Sequence, residues 1–444
     1  MATAAALNAE PTVHVLSTIG SERATSGGGN KIVTHENKTH VVWQDSTPQG
    51  YFNRIRTLDR DTNTWLQTVT LNEGKDNHAR PVVTIDHEGY LHVIMSGHHS
   101  PVTHRRSVRP NDASEWTDPQ DVGRGTYPVV VCGADDTLYA TMRSDRRWNG
   151  VDLYVKPKDG PWEKRGKLVK RREDLPGYAA FHSGMAVGPD GTLHLVSDFY
   201  EGKGIYDQRG LHQAVCYMQS RDRGQTWQRA DGTAVSIPAR PEDMDILAQD
   251  ERERGEEMPP PLLLSMGAIV TDLKGRAHIL YISHLDAPGQ LVHAWTDNDG
   301  AWQRQTIDAV AESFPDHRPT HSRGALSKTA DGDFYALLTL QPLNDQWQDG
   351  KPTRESNWNA ENKRLILLHS PDSGRTWDAQ LALPEDREVN QPNVERPTGV
   401  NLPSGGQVPP FVYFDGLIRY PEKGETIQNN VYLVMPATQT STRP

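Results

Sequence analysis

The chain has 444 residues, a formal net charge of −11 and 24% charged residues. An acidic balance argues against nucleic acid as a partner, because such binders usually present a basic face. No apolar run approaches the roughly 20 residues that a membrane-spanning helix needs, so we expect no membrane association. Cys132 and Cys216 are too few for a disulfide scaffold, and both lie in apolar strand segments, which predicts buried free thiols.

A turn followed by an alternating apolar strand recurs along the chain. Alternation with a period of two after a Gly or Asp turn is typical of a half-buried antiparallel strand. The seven copies begin at Lys38, Asp86, Asp135, Pro189, Asp272, Asp331 and Asn430. A repeat of roughly 40 to 75 residues indicates sheets arranged as blades.

A second repeat interleaves with the first and ends in tryptophan. Two octets, Ser220 to Trp227 and Ser370 to Trp377, read S-x-D-x-G-x-T-W and match the Asp-box of sialidase-type propellers. In such a turn the Asp accepts backbone N–H bonds, the Gly takes a positive φ, and the Trp packs between neighbouring sheets. Weaker copies end at Trp65, Trp116, Trp162 and Trp302.

These repeats predict an all-β fold, a seven-bladed β-propeller of four-stranded antiparallel blades. The last strand has no octet of its own, so we expect residues near Thr12 to Leu16 to join the C-terminal strands and close the ring. The repeats run from about residue 38 to 434, which predicts a single domain over residues 1–444. We expect disorder at residues 1–10 and an exposed, Pro- and Glu-rich insertion at residues 241–261.

Propellers bind ligands in loops at the ends of their innermost strands. His78 and His98 bracket one hairpin, and Tyr127 and Arg143 bracket the next, so all four can face one cavity. We expect further binding residues at equivalent positions: Asn77, His99, His182, Tyr200, Arg209, His284, His321 and Arg323.

The run from Lys38 to Arg143 contains THVVWQD, NHARPVVTIDHEGYLHVIMSGHHSP and GTYPVVVCGADDTLYATMRS. This run resembles the BNR-4 group of seven-bladed propellers, which includes polysaccharide lyases acting on ulvan and on rhamnosyl-glucuronate ends. The resemblance implies a catalytic set of His78, His98, Tyr127 and Arg143, with His99 a competing choice for the second histidine. The chain departs from the group at His99, where Asn is commoner, and in a short stretch between His98 and Tyr127.

Such a set suits β-elimination from a 4-linked uronic acid. A lyase removes the C5 proton and expels the 4-linked sugar, so the carboxylate must be neutralised as negative charge develops. The guanidinium of Arg143 can donate two parallel hydrogen bonds to that carboxylate, and Asn77 or His78 could be further donors. His98 suits the base, and Tyr127 would protonate the leaving oxygen or, in a syn elimination, act as both base and acid.

The expected partner is an acidic poly- or oligosaccharide that contains uronic acid. No cofactor or metal is required, although Asp and backbone carbonyls at the rim could hold a structural calcium. We expect a monomer that is secreted or periplasmic, with no export signal visible in Met1 to Glu10.

Two other functions stay open. A glycoside hydrolase, sialidase-like or rhamnosidase, could use the same scaffold, but a sialidase needs three arginines and a Tyr–Glu pair, and no Glu lies at an obvious strand end. A non-catalytic carbohydrate-binding propeller would need exposed Trp and Tyr platforms and few titratable groups, whereas here His, Tyr and Arg cluster on adjacent hairpins.

Overall fold

The computed structural model describes residues 11–95, 97–144, 150–203, 211–250, 263–287, 289–319, 323–343, 347–348, 351–352, 362–383, 389–419 and 421–435. Residues 1–10, for which the sequence predicts disorder, lie outside the described residues, as do residues 251–261 of the predicted insertion.

Short antiparallel strands make up almost all of the regular structure. A 3₁₀ turn spans Pro241–Asp243, and the helix α1 spans Ala309–Ser313. No helix among the described residues is long and apolar enough to cross a bilayer. In chain order the strands are β1 (Thr12–Gly20), β2 (Ile32–His35), β3 (Lys38–Thr47), β4 (Gly50–Asp59), β5 (Thr64–Trp65), β6 (Val69–Gly74), β7 (Pro81–Ile85), β8 (Leu91–Met95), β9 (Ser100–Arg109), β10 (Asp112–Trp116), β11 (Gln120–Cys132), β12 (Leu138–Ser144), β13 (Gly150–Lys156), β14 (Glu163–Lys170), β15 (His182–Val187), β16 (Leu193–Glu201), β17 (His212–Ser220), β18 (Trp227–Gln228), β19 (Ala234–Val235), β20 (Asp245–Asp250), β21 (Leu264–Thr271), β22 (Ala277–Ser283), β23 (Gln290–Thr296), β24 (Trp302–Thr306), β25 (His317–Pro319), β26 (Leu326–Lys328), β27 (Phe334–Pro342), β28 (Trp347–Gln348), β29 (Lys351–Pro352), β30 (Arg364–Ser370), β31 (Asp378–Leu381), β32 (Val389–Val394), β33 (Phe411–Asp415) and β34 (Asn429–Met435).

The strands form sheets in nearly sequential order. The largest sheet has the order β32-β33-β34-β1-β3-β4-β5, with β2 and β6 paired at its sides, and the next has the order β14-β13-β12-β11-β9-β8-β7, with β10 paired to β9. The remaining sheets centre on β16 and β17, on β22 and β23, and on β27 and β30, while β28 and β29 form a small hairpin. Sequential hairpin pairing keeps the connections short, as is usual for repeat architectures.

Each of the seven predicted apolar repeats lies in the interior of a sheet. The repeats form β3, β8, β12, β16, β22, β27 and β34, and each of these strands has a hydrogen-bonded neighbour on both sides. Strands in the interior of packed sheets favour apolar and β-branched residues, and these residues made the segments recognisable in the sequence.

The two complete octets form the expected turns. Oδ1 of Asp222 accepts the backbone N–H of Thr226 at 2.8 Å, and its Oδ2 accepts the Thr226 hydroxyl at 2.6 Å. Gly224, at φ +80°, donates its N–H to the Ser220 hydroxyl. Asp372 makes the same bonds to Thr376 at 2.9 and 2.8 Å.

The apolar core is divided among neighbouring sheets, as expected for packed blades. All six tryptophans that follow the predicted turns belong to these clusters or pack against them: Trp65, Trp116, Trp162, Trp227, Trp302 and Trp377. Because these side chains bury a large apolar area in the core clusters, they stabilise the fold.

The two ends of the described chain meet in one sheet. β1 pairs antiparallel with β34, from Thr12 opposite Met435 to Gly20 opposite Asn429. Gly20 is also opposite Asp45 of β3, which joins this pair to the strands that follow. Pro241–Asp243 and β20, at the start of the predicted insertion, lie against β17.

Candidate active site

The candidate site forms at the strand ends of two adjacent hairpins. Asp76 to His78 precede β7, and His98 and His99 come between β8 and β9. Tyr127 lies in β11 at an irregularity between residues 126 and 129, beside Pro128, which has no N–H to donate to the ladder. Tyr127 has φ +59°, and such a bulge re-aims a side chain out of the regular strand alternation.

A single carboxylate holds the two histidines of the first hairpin. Nδ1 of His78 lies 3.0 Å from Oδ1 of Asp76, and Nδ1 of His98 lies 2.6 Å from Oδ2. The two imidazole rings stack with their centroids 4.0 Å apart at 23°. Because the carboxylate can only accept, each ring donates its Nδ1–H, and the neutral form of such a ring has its lone pair on Nε2.

The protonation states follow from this arrangement. Burial lowers the pKa of His78 to about 3, and the opposing effect of Asp76 does not overcome it. Burial alone would raise the pKa of Asp76, but hydrogen bonds from His78 and His98 hold that pKa well below its usual range. At neutral pH the site therefore contains an ionised carboxylate beside a neutral His78.

The ring of Tyr127 has two imidazole rings and two guanidinium groups as neighbours. Its ring stacks on His182 at a centroid distance of 4.6 Å and lies 6.0 Å from the ring of His78. The guanidinium carbon of Arg143 lies 4.7 Å from the Tyr127 centroid, and that of Arg80 lies 5.3 Å away. The guanidinium groups of two arginines therefore both lie within cation–π distance of the Tyr127 ring.

The adjacent residues His98 and His99 point to different partners. His99 has φ +51°, and its Nε2 lies 3.0 Å from Nη2 of Arg143. Since a guanidinium can only donate, Nε2 of His99 is the acceptor. His98 is therefore bonded to Asp76, as His78 is, whereas His99 holds the side chain of Arg143 in position.

A second Asp–His pair, His182 and Asp198, lies beside Tyr127. Nδ1 of His182 lies 3.1 Å from Oδ1 of Asp198, whose Oδ2 accepts from Nη2 of Arg323 at 2.9 Å. Burial and, after it, the Arg323 charge lower the pKa of His182 to about 4, although Asp198 opposes both. Burial raises the pKa of Asp198, but Arg323 and His182 hold it below the ordinary range.

Asn77 connects the site to the N-terminal segment. Its amide nitrogen donates to Oε1 of Glu22, which also accepts from the hydroxyl of Tyr51 at 3.2 Å. Burial raises the pKa of Tyr51, and the Glu22 charge raises it further. Asn77 is thereby fixed beside His78.

The remaining predicted binding residues have other surroundings. Tyr200 packs edge-on against Tyr178 at 6.1 Å. Nδ1 of His284 accepts the backbone N–H of Gly289 within its own loop at 2.8 Å. Arg209 and His321 lie outside the described residues.

Sequence reasoning missed the residues that hold the predicted ones in place. These are Glu22, Asp76 and Arg80. Asp76 stands two positions before His78, in the run DNHAR, and an acidic residue at that spacing from a candidate histidine was the available signal. Glu22 carries no such signal, because it reaches the site from a distant segment.

Two groups of side chains have the composition of a metal site. Asp76, His78 and His98 each present a ligand atom, and these atoms lie within 4.8 Å of one another. His87, Cys132 and Asp136 form a second such group at the turns before β8 and β12. In both groups a histidine Nδ1 already bonds to the carboxylate.

The model of the BNR repeat-containing family matches residues 35–310, well over half of the chain. The chain belongs to this family. The matched region contains both hairpins of the site, so the family assignment and the geometry concern the same residues.

Two curated relatives are named as lyases. An "Ulvan lyase" of Alteromonas sp. (strain LOR) is 24% identical over 264 residues, which cover 50% of this chain and 51% of that protein. An "Ulvan Lyase-PL25" of Pseudoalteromonas sp. (strain PLSV) is 23% identical over 260 residues, with coverages of 50% and 51%. This BNR-family chain thus spans about half the length of the curated relatives it matches.

Solved structures agree with the fold along most of the chain. A PL25 ulvan lyase superposes with a TM-score of 0.67 at 16% identity, covering 96% of both chains. The polysaccharide lyase Uly1 gives a TM-score of 0.61 at 12% identity, covering 93% of this chain and 91% of that one. At these identities the likeness establishes an all-β fold shared with these lyases.

Proposed function

We propose that the protein is a polysaccharide lyase that cleaves a 4-linked uronic acid by β-elimination and leaves a 4,5-unsaturated uronate. The observation that carries this proposal is the His78–Asp76–His98 arrangement, which faces Tyr127 and Arg143 across one surface. It combines a base, an acid and a carboxylate-binding cation, the three groups that this elimination needs.

Arg143 neutralises the substrate carboxylate in this proposal. The side chain is buried, with 3% of its surface exposed, and its Nη2 is held by His99. A fixed guanidinium pairs with both oxygens of a carboxylate and stabilises the enediolate charge that develops once the C5 proton leaves. Arg80, whose guanidinium carbon also lies 5.3 Å from the Tyr127 centroid, adds a second positive charge.

His98 is the proposed base. Its Nδ1–H donates to Asp76, so Nε2 presents a lone pair, and 27% of its side chain is exposed against 10% for His78. Asp76 stabilises the imidazolium that forms when His98 takes the C5 proton. Tyr127 then protonates the leaving oxygen, or serves as both base and acid in a syn elimination.

The proposed substrate is a glycan of the ulvan type. Support comes from the two curated relatives and from a PL25 ulvan lyase structure described as bound to -[GlcA(1-4)Rha3S]-. A uronate flanked by sulfated sugar is acidic throughout, and it fits a site that contains Arg80, Arg143 and Arg323.

The proposed architecture is a seven-bladed propeller. In support, the described strands can be divided into seven groups, each containing one apolar repeat. The largest sheet divides into a C-terminal group with β1 and a group from β2 to β6. In this arrangement the two hairpins of the site belong to neighbouring blades, which brings their tips to one end of the ring.

The test is the ultraviolet absorbance of the conjugated double bond during incubation with ulvan, read beside the release of reducing ends. We expect both signals to rise together with the wild type and to be lost in His98→Ala and Arg143→Ala. His87→Ala, an exposed histidine on a distant turn, is the matched control. Reducing ends without new absorbance would contradict elimination and indicate a hydrolase, and neither signal would indicate a binding protein.

A further inference from the structure

Three buried basic side chains interact through their charges, and one of them contacts Tyr127 of the candidate active site. Lys31 immediately precedes β2, Arg80 immediately precedes β7, and Arg396 follows β32. Only 1%, 6% and 9% of their respective surfaces are exposed. The Lys31 ammonium donates to the carbonyl of Pro81, next to Arg80, and the amide of Asn30 lies 3.4 Å from the carbonyl of Arg396.

These charges lack acidic partners. In the described part of the chain, no carboxylate lies within ion-pair distance of Lys31, Arg80 or Arg396. Burial lowers the pKa of Arg80 to about 9 and that of Arg396 to about 10. It also lowers the pKa of Lys31 well below the usual range, and both arginines add to that effect. Desolvated like charges without a counter-ion are costly to a fold.

Arg396 shows where a counter-ion would bind. Its Nε and Nη2 atoms are buried and have no hydrogen-bond partner among the described residues. These two N–H groups form one edge of the guanidinium, the edge that pairs with two oxygens of a carboxylate, sulfate or phosphate. Buried donors of this kind are rarely left without an acceptor.

We propose that Lys31, Arg80 and Arg396 form a binding site for a tetrahedral oxyanion of the sulfate or phosphate class. The oxyanion bonds to the Nε–Nη2 edge of Arg396 and neutralises the other two cations. It is either a free inorganic ion or a sulfate carried by a glycan. Arg80 also contacts Tyr127, so the site adjoins the candidate active site, but it does not depend on lyase activity.

The first experiment measures the melting temperature against sodium sulfate, with sodium chloride at equal ionic strength as the reference. Sulfate also stabilises proteins non-specifically, so the comparison is between the wild type, Arg396→Met and the exposed-arginine control Arg375→Met. We expect a saturable sulfate-dependent rise in the wild type and in Arg375→Met, and its loss in Arg396→Met. In sulfate-free buffer Arg396→Met should melt at or above the wild-type temperature, because it removes an unpaired buried charge.

A parallel arm replaces sulfate by a sulfated rhamnose oligosaccharide. A saturable rise with inorganic sulfate assigns a free ion, and a rise with the oligosaccharide alone assigns a glycan-borne group. The same response in the wild type and in Arg396→Met would overturn the proposal.

A second measurement uses only the wild type. Selenate is a close analogue of sulfate and has an anomalous X-ray signal. We expect an anomalous peak within hydrogen-bond distance of Nε and Nη2 of Arg396 in a selenate-soaked crystal. Water at that position in the presence of selenate would overturn the proposal.

Discussion

The imidazole rings of His78 and His98 stack with their centroids 4.0 Å apart, and both donate to the carboxylate of Asp76. One acidic residue therefore fixes the orientation and the tautomer of two histidines. Its strongly lowered pKa, which the two hydrogen bonds cause against the effect of burial, keeps it ionised while the histidines act.

Replacing that carboxylate should impair the reaction more than binding. In Asp76→Asn the amide cannot accept from both rings, and it carries no charge to stabilise a protonated His98. We expect kcat to fall by about 10²-fold or more, with KM changed far less. Steady-state kinetics on ulvan measure this. Asp136→Asn is the matched control, because Asp136 bonds to His87 in the same way at a distant turn. Equal losses in both variants would mean that Asp76 serves stability alone.

The two neighbouring histidines should have separable effects. His98→Ala removes the proposed base, and we expect kcat to fall by about 10²- to 10⁴-fold. His99→Ala removes the acceptor that positions Arg143, so we expect kcat/KM to fall, but by less than in Arg143→Ala, and kcat to fall far less than in His98→Ala. His99→Asn keeps an acceptor and should recover part of the loss. Kinetics in which His99→Ala abolishes turnover while His98→Ala does not would reverse these roles.

Arg143 should not tolerate a conservative replacement. Lysine keeps the charge but lacks the planar fork that binds two carboxylate oxygens. We expect Arg143→Lys to lower kcat/KM by about 10²-fold and Arg143→Ala to lower it further. Arg375→Lys, in an exposed turn, controls for the general effect of the exchange. Near wild-type kcat/KM in Arg143→Lys would argue against bidentate binding.

Buried histidines should make stability depend on pH. Burial lowers the pKa of His194 from 6.5 to about 4, and its Nδ1 lies 2.7 Å from the hydroxyl of Tyr217. Between these pH values the unfolded chain binds a proton that the folded chain does not. The stability from neutral His194 is therefore fully present above about pH 6.5 and is lost as the pH falls toward 4, by on the order of 3 kcal/mol.

Chemical unfolding between neutral pH and pH 4 measures this dependence. His194→Gln should unfold with a shallower pH slope than the wild type. The slope will not vanish in His194→Gln, because burial also lowers the pKa values of His40 and His182 to about 4. Identical slopes in the wild type and in His194→Gln would contradict the prediction.

Much of the fold could be predicted because its signals are local. An Asp-box turn depends on residues within eight positions, so Ser220 to Trp227 specify their own hydrogen bonds. The pairing of β1 with β34 was expected from the missing octet at the C-terminal end of the chain, and it is observed. Strand alternation likewise marked β3, β8 and β12, which lie in sheet interiors.

The site was predictable only where its residues bracket a hairpin. His78 and His98 lie in the loops beside β7 and β8, Tyr127 lies at a bulge within β11, and Arg143 lies near the end of β12. The structure brings these four residues together. Their supporting residues depend on contacts between distant segments. Glu22 reaches Asn77 across 55 positions, and Arg323 reaches Asp198 across 125. No pattern in a single sequence reports such pairs, because they form only when separate sheets pack.

The most direct test of elimination is the mass of the oligosaccharide products formed from ulvan in water enriched in oxygen-18. Elimination breaks the bond without adding water, so we predict a new non-reducing end that is lighter by one water molecule and a cleavage step that incorporates no heavy oxygen. Products that are heavier by one water molecule and carry oxygen-18 at the new reducing end would show hydrolysis and contradict the proposed function.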